Sequence, residues 1–178
     1  MNAWQLIKSD LRAKADWLYG AVTWRTMLKA RFTDGTCAMI LYRWMQAAQR
    51  WRIVPLAMIC NKLNVHFGQC VIGRGADFGP AFVLVHSQGV VINTAVKGGR
   101  HVVIEHQVTI GAEKGKAPVL GDDVFVGAGA KILGAVRVGR GAKVGANAVV
   151  LDDVPDGATV VGVPARVVNA RGSQPAES

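Results

Sequence analysis

Histidine is the side chain in this sequence best suited to moving a proton near neutral pH, and the chain has four. An unperturbed imidazole titrates near pH ~6.5, so it can take a proton from a hydroxyl and return it later. His86 lies in the run LVHSQGVVI and His106 in IEHQVTIGA, whereas His66 and His101 are predicted to be structural. A lone histidine in an apolar run is more often packed than catalytic, so residue type alone yields only candidates.

Metal and disulfide chemistry have weaker support in the sequence. His101 and His106 have a spacing that invites a zinc site, but such a site needs further ligands and no additional histidine motif accompanies them. Cys37, Cys60 and Cys70 are odd in number and have no CxxC spacing, which favours reduced packing residues and a cytoplasmic setting. We therefore expect no metal.

A repeat of six residues is the strongest pattern in the chain. From Leu120 onward every sixth residue is aliphatic, and four residues after each comes a small or aliphatic residue. The aliphatic positions are Leu120, Val126, Ile132, Val138, Val144 and Val150. The same register is found upstream at Ile72, Phe78, Leu84 and Val90, and after a shift at Ile104 and Ile110.

A period of six fits neither a helix nor a single strand and is typical of a parallel β-helix. Each six residues form one short strand and one corner of a triangular coil, and glycine after the aliphatic residue permits the backbone bend. Residues 72–161 would make roughly five coils, or a rod roughly 24 Å long at the ~4.8 Å strand spacing. Breaks in the period predict a one-residue insertion at 97–101 and a projecting basic loop at 112–118.

The first part of the chain is predicted to be helical. One apolar stripe runs from Trp4 to Leu18 with Gly20 as a stop, another from Cys37 to Trp51, and a third short helix covers Leu56 to Leu63. The resulting organisation is a helical cap over 1–63, a β-helix over 64–168 and a disordered tail over 169–178. The stripes fit core packing that caps the open β-helix end, or a membrane-surface patch rich in tryptophan.

The charge of the chain is concentrated in the helical part. The formal net charge is +9, and residues 1–66 contain ten Lys or Arg against three Asp. Charged residues near the N-terminus, such as Lys8 and Asp10, occupy the place of a signal peptide's apolar run, so export is not expected. A nucleic-acid binder is disfavoured, because the basic segment has a helical core stripe and no nucleic-acid motif.

The run from Val119 to Val168 resembles the hexapeptide-repeat acetyltransferases, and most closely their serine acetyltransferase branch. The segments GAGAKILG (127–134) and GVPARVV (162–168) are specific for that superfamily, and the resemblance extends to Leu28–His86. It implies a left-handed β-helix that assembles as a homotrimer and transfers acetyl from acetyl-CoA to a hydroxyl or amine. His86 falls at the position of the family's catalytic base, and His106 is a second candidate for contact with the acceptor.

The resemblance also implies a groove for CoA between two β-helices of the trimer. Gly111 and Ala112 would offer backbone N–H groups to the thioester carbonyl. Ala128 and Ala146 would line the groove with small side chains. The groups that would meet the nucleotide phosphates are Lys131, Lys143 and Arg166.

Three polar groups of the serine acetyltransferase branch have apolar counterparts here. Val71 replaces the aspartate that partners the catalytic histidine, Val85 replaces a second aspartate, and Ala117 replaces the histidine of a basic loop. Buried ligand charges need partners, so this favours a sugar hydroxyl of a bacterial surface polysaccharide as acceptor over serine. A lipid-linked acceptor would explain basic, tryptophan-rich helices at the inner membrane. Serine O-acetylation in cysteine biosynthesis, N-acetylation of an aminosugar and a non-catalytic β-helix scaffold remain as alternatives.

Overall fold

The computed structural model describes residues 1–169, which form four helices followed by fifteen short strands. The helices are α1 (Ala3–Tyr19), α2 (Trp24–Arg31), α3 (Thr36–Arg50) and α4 (Val54–Phe67). The first is closed as predicted, with Gly20 in the left-handed region at φ 63°. Sequence analysis missed α2, because this short helix buries only Ala30. It also ended α4 too early, at Leu63.

The strands wind into a parallel left-handed β-helix, which confirms the predicted fold class. They are β1 (Val71–Ile72), β2 (Asp77–Phe78), β3 (Val83–Leu84), β4 (Val91–Ile92), β5 (Lys97–Gly98), β6 (Val103–Ile104), β7 (Thr109–Gly111), β8 (Val119–Leu120), β9 (Phe125–Val126), β10 (Lys131–Leu133), β11 (Arg137–Val138), β12 (Lys143–Val144), β13 (Val149–Val150), β14 (Thr159–Val161) and β15 (Arg166–Asn169).

From β1 to β13, every third strand joins the same face of the triangular prism, and β14 and β15 extend the third sheet. The three sheets have the orders β1-β4-β7-β10-β13, β11-β8-β5-β2 and β15-β14-β12-β9-β6-β3. All pairs are parallel except β14 with β15. The inward aliphatic positions, such as Ile110, Ile132 and Val144, are fully buried and form one continuous core. The last strand includes Asn169, so the predicted disordered tail begins too early, and 170–178 lie outside the described residues.

The irregularity in the repeat lies elsewhere than predicted. Ile92, Gly98, Ile104 and Ile110 keep the period of six through 97–101, so the predicted insertion in that segment is wrong. The extra residues come earlier, in the turn between Leu84 and Ile92, where Val90 is a buried corner residue rather than a strand position. That turn contains His86.

Glycine follows the inward residue because a side chain there would collide with the next coil, and not because the backbone has a conformation that only glycine adopts. A Cβ on Gly127 would lie 2.7 Å from the Ala146 nitrogen, and one on Gly121 would lie 2.8 Å from the Arg140 nitrogen. Neither glycine has a positive φ. The repeat therefore needs glycine so that successive coils can approach closely.

The helices cover the solenoid in two ways. Tyr42 and Arg43 of α3 bond the first coil, with Arg43 donating to the Phe78 carbonyl at 2.8 Å and pairing with buried Asp10 of α1 at 2.7 Å. Helix α1 instead lies along the outside of the third sheet, where Trp17 stacks on Phe125 at 5.4 Å. The predicted capping role thus holds for α3, while α1 packs against the side of the prism.

Candidate functional site

The candidate site is built on one corner of the coil, where the third sheet turns into the first. The residue two positions after the inward aliphatic stands at this corner in each coil. Successive coils place there His86, His106, Ala128 and Ala146. Sequence reasoning singled out all four, and the β-helix stacks them in one column.

The two histidines of the column are neighbours. Their ring centroids lie 5.9 Å apart with the rings nearly perpendicular. The Nδ1 atom of His106 is buried without a hydrogen-bond partner, and the Glu105 carboxylate lies 3.7 Å away. A buried ring nitrogen that finds no hydrogen-bond partner among residues 1–169 is free to bond a ligand or a neighbouring molecule.

His86 has a carboxylate partner that sequence analysis did not find. Its Nδ1 lies 3.3 Å from Oδ2 of Asp34, which belongs to the loop between α2 and α3. A carboxylate only accepts hydrogen bonds, so the neutral tautomer that fits this contact has its proton on Nδ1 and its lone pair on Nε2. This is the arrangement that a general base requires, and the partner comes from the helices rather than from Val71, whose side chain is outward on β1.

A cavity of about 210 Å³ lies beside this pair. Asp34 lines it together with Ser87 and Gln88 of the enlarged turn. Its remaining polar groups come from Thr33 and Gln69, and Phe32 and Phe67 contribute exposed rings. Among residues 1–169, Asp34 is the only charged side chain that lines it. The cavity therefore offers hydrogen-bonding groups and one negative charge.

The residues predicted to bind CoA divide among several places. Ala128 and Ala146 continue the histidine column, and Lys131 reaches it by donating to the Gln107 carbonyl at 2.6 Å. Gly111 and Ala112 lie at the next corner, after β7, where the projecting loop begins. Lys143 is on β12 and Arg166 is on β15, where its side chain lies 3.8 Å from Asp152.

The remaining histidines and cysteines are outside the column. His66 packs edge-on against Phe67, and His101 pairs with Asp123 of the next coil at 3.1 Å. Cys60 and Cys70 are buried as expected, and burial raises the pKa of the Cys70 thiol to about 12. Cys37 is exposed and lines the cavity, so its predicted role as a packing residue is wrong.

Comparisons with known proteins show the family of the chain. Residues 117–152 match the family described as bacterial transferase hexapeptide (six repeats). Over 145 residues the chain is 39% identical to serine acetyltransferase of Bacillus subtilis, an alignment that covers 79% of this chain and 67% of that protein. Over 138 residues it is 41% identical to serine acetyltransferase of Helicobacter pylori, covering 75% and 81%. The chain belongs to the serine acetyltransferase family.

Solved structures of that family have the same architecture. The Neisseria gonorrhoeae serine acetyltransferase superposes with a TM-score of 0.87 at 29% identity and covers 97% of this chain and 68% of that one. A serine acetyltransferase solved as a complex with CoA gives a TM-score of 0.80 at 31% identity, covering 90% and 68%. The chain is thus an acyltransferase of the serine acetyltransferase type. These relatives do not support the expected sugar acceptor.

The expected membrane contact finds no support in these comparisons either. Within residues 1–169, no helix has both the length and the apolar character that a bilayer crossing requires. Trp44 meets Trp4 at 5.4 Å and Trp17 stacks on Phe125, whereas Trp24 and Trp51 are exposed.

Proposed function

We propose that this protein transfers the acetyl group of acetyl-CoA to the hydroxyl of serine, with His86 as general base. The observation that carries the proposal is the His86–Asp34 pair, set at the corner column of a chain 39% identical to a serine acetyltransferase. Two neighbouring structures are serine acetyltransferases solved with CoA and with serine. Serine is accordingly the acceptor with the most support.

The chemistry needs a base because a hydroxyl is a poor nucleophile until it loses its proton. Acetyl-CoA, when bound, supplies an activated thioester carbonyl. Nε2 of His86 takes the hydroxyl proton as the oxygen attacks, and Asp34 stabilises the imidazolium that forms. The same proton then passes to the departing thiolate. A base of this kind typically contributes about 10² to 10⁴ in rate.

The residues of the column fit a CoA arm. Ala128 and Ala146 have no side chain beyond Cβ, so the corner beneath the histidines is open to a narrow ligand. Gly111 and Ala112 lie at a different corner of the same coil, and a site that uses both corners needs neighbouring copies of the chain. This is the geometric argument for the proposed homotrimer.

A sugar hydroxyl is the second candidate acceptor, and the cavity favours it. Free serine has a carboxylate, whereas the only charged side chain among the described residues lining this cavity is Asp34. Hydroxyl, amide and aromatic groups suit an uncharged polyhydroxyl ligand. A serine carboxylate would therefore need a cation from outside the cavity lining, and Lys114 and Lys116 of the basic loop are two candidates.

A thiol-release assay separates the two acceptors. Purified protein is given acetyl-CoA with serine, or with a panel of hexoses, aminosugars and oligosaccharides, and free CoA is measured. Serine turnover at saturable concentration supports the first proposal. Turnover with sugars but not with serine would support a sugar as the acceptor. If no acceptor causes release of CoA, the protein would be a non-catalytic scaffold. His86→Ala is the control for background hydrolysis.

A further inference from the structure

A buried lysine lies behind the candidate site and has no role in the proposed chemistry. Lys14 of α1 is fully buried. Its Nζ donates to the Leu84 carbonyl at 2.8 Å and to the Asp34 carbonyl. Burial lowers its pKa to about 8, although the Asp34 carboxylate acts in the opposite direction. Among residues 1–169, no carboxylate forms a salt bridge with Lys14. Burial of an unpaired ammonium has an unfavourable desolvation free energy, whereas an apolar side chain of that size has none.

The two carbonyls belong to the two segments that bring the site together. Asp34 contacts His86 through its side chain, and Leu84 ends β3 two residues before His86. Lys14 therefore bonds at once to the loop that holds the carboxylate and to the strand that holds the base. The position of Lys14 is itself fixed, because side chains of α1 pack on β3 and β6.

Within residues 1–169, Lys14 provides the only hydrogen bonds between this loop and β3 itself, and the Asp34–His86 contact lies two residues beyond the strand. Among residues 1–169, the other hydrogen bonds of Phe32, Thr33 and Gly35 run to residues of α2 and α3. The approach is nevertheless close, since a Cβ on Gly35 would lie 2.6 Å from the Leu84 oxygen. Lys14 donates to a backbone carbonyl on each side of this approach, so both oxygens have a hydrogen-bond partner.

We propose that Lys14 is a positioning residue that holds the Asp34 carboxylate against the His86 ring. The role rests on the proposed function of that pair, and it goes beyond it by placing a member of the site on α1. Without Lys14 the loop loses its tie to β3, and Asp34 moves away from Nδ1. His86 then loses the acceptor that fixes its orientation and tautomer.

A double-mutant cycle in the full chain tests this directly. We expect Lys14→Met, which fills the same space, to lower kcat about tenfold while the KM for acetyl-CoA stays within about twofold. In an Asp34→Asn background the same change should alter kcat by less than about twofold, because Lys14 acts through Asp34. Lys8→Met, on the exposed face of α1, is the matched control and should leave kcat unchanged.

Several results would overturn the proposal. A wild-type kcat in Lys14→Met would do so. So would a double variant whose loss of kcat equals the product of the losses in Lys14→Met and Asp34→Asn, because residues that act independently give that result. If Lys14→Met does not fold, Lys14→Gln retains one donor and should give an intermediate kcat. An unchanged kcat in Lys14→Gln together with loss of stability would also count against the role.

A second measurement is independent of turnover and separates the two proposals. The ring nitrogen and Cε1–H NMR signals of His86, assigned with His86→Gln, report its tautomer and its carboxylate contact. Lys14→Met should reproduce the shift seen in Asp34→Asn, and Lys8→Met should not. If wild-type protein releases no CoA with any acceptor, the proposed function fails, while these signals still decide whether Lys14 holds Asp34 against His86.

Discussion

Two corners of this β-helix each contain a histidine beside an aspartate, and the pairs differ in where the aspartate comes from. His86 lies 3.3 Å from Asp34 of the helical segment, whereas His101 lies 3.1 Å from Asp123 one coil further on. Both pairs are exposed to solvent. A short distance between a carboxylate and an imidazole thus does not by itself distinguish a general base from an ordinary ion pair on the surface.

The surroundings make the distinction. The first pair stands next to a second histidine and a cavity, at the turn where the repeat gains residues. In the second pair, His101 and Asp123 occupy equivalent turn positions in successive coils. Both residues have left-handed backbone conformations, with φ 52° and 58°. One pair is assembled by tertiary packing around a space, and the other follows from the repeat itself.

Removing each histidine is the strongest test of this difference. His86→Ala should lower kcat by about 10² to 10⁴, the usual contribution of a general base. His101→Ala is the matched control and should keep kcat within about twofold. Steady-state kinetics on both variants, with circular dichroism to verify folding, gives the comparison. Equal losses in the two variants would refute the assignment of the base.

Removing each carboxylate should have a smaller effect. Asp34→Asn should reduce kcat about tenfold, because loss of an orienting carboxylate removes part of what the base contributes. The KM for acetyl-CoA should change little. Asp123→Asn should leave kcat at the wild-type value. If Asp34→Asn were fully active, Asp34 would have no part in the reaction, and its contact with His86 would be only a surface ion pair.

The buried ammonium behind the first pair predicts a dependence of stability on pH. Burial lowers the pKa of Lys14 from its ordinary 10.5 to about 8 in the folded chain, so between these values the unfolded chain binds more protons. Its contribution to the free energy of unfolding therefore increases as pH rises. Wild type should gain about 2 kcal/mol relative to Lys14→Met between pH 7 and pH 9.5. Denaturant unfolding at both pH values measures it, and a constant difference would mean an unshifted pKa.

The second pair should matter slightly for stability alone. Asp123→Asn removes an exposed pair, for which about 0 to 1 kcal/mol is usual, and salt should mask most of it. Urea unfolding at low and high salt measures this. A loss well above about 1 kcal/mol that persists at high salt would show that this pair is not an ordinary surface ion pair.

The regular part of the molecule could be predicted well. The period of six identified the β-helix, its inward residues and the loop at 112–118, because one short-range pattern is imposed on every coil. It also contained the column of His86, His106, Ala128 and Ala146, since these share one position of the repeat. The sequence pattern predicted the extra residues at 97–101, whereas the structure has them at 85–91. Val90 is apolar and lies six residues after Leu84, so it fits the repeat in sequence although it is not a strand position in the structure.

The acceptor side of the site was predicted poorly. Comparison with the serine acetyltransferase pattern indicated that the partner of His86 was lost at Val71, and a sugar acceptor was expected partly for that reason. The structure provides a carboxylate from another segment. Position-by-position comparison cannot detect such a replacement, because Asp34 stands in an ordinary Thr-Asp-Gly turn with no local signal.

The solenoid, its corner column and the family follow from the amino-acid sequence alone, because these depend on repeated short-range geometry. Which carboxylate lies beside His86 depends on the fold, since Asp34 and His86 are 52 residues apart and meet through the packing of helices on the first coil. The tertiary structure also revealed Lys14, whose two acceptors are backbone carbonyls and therefore leave no trace in side-chain identity. Contacts of this kind exist only once the chain has folded.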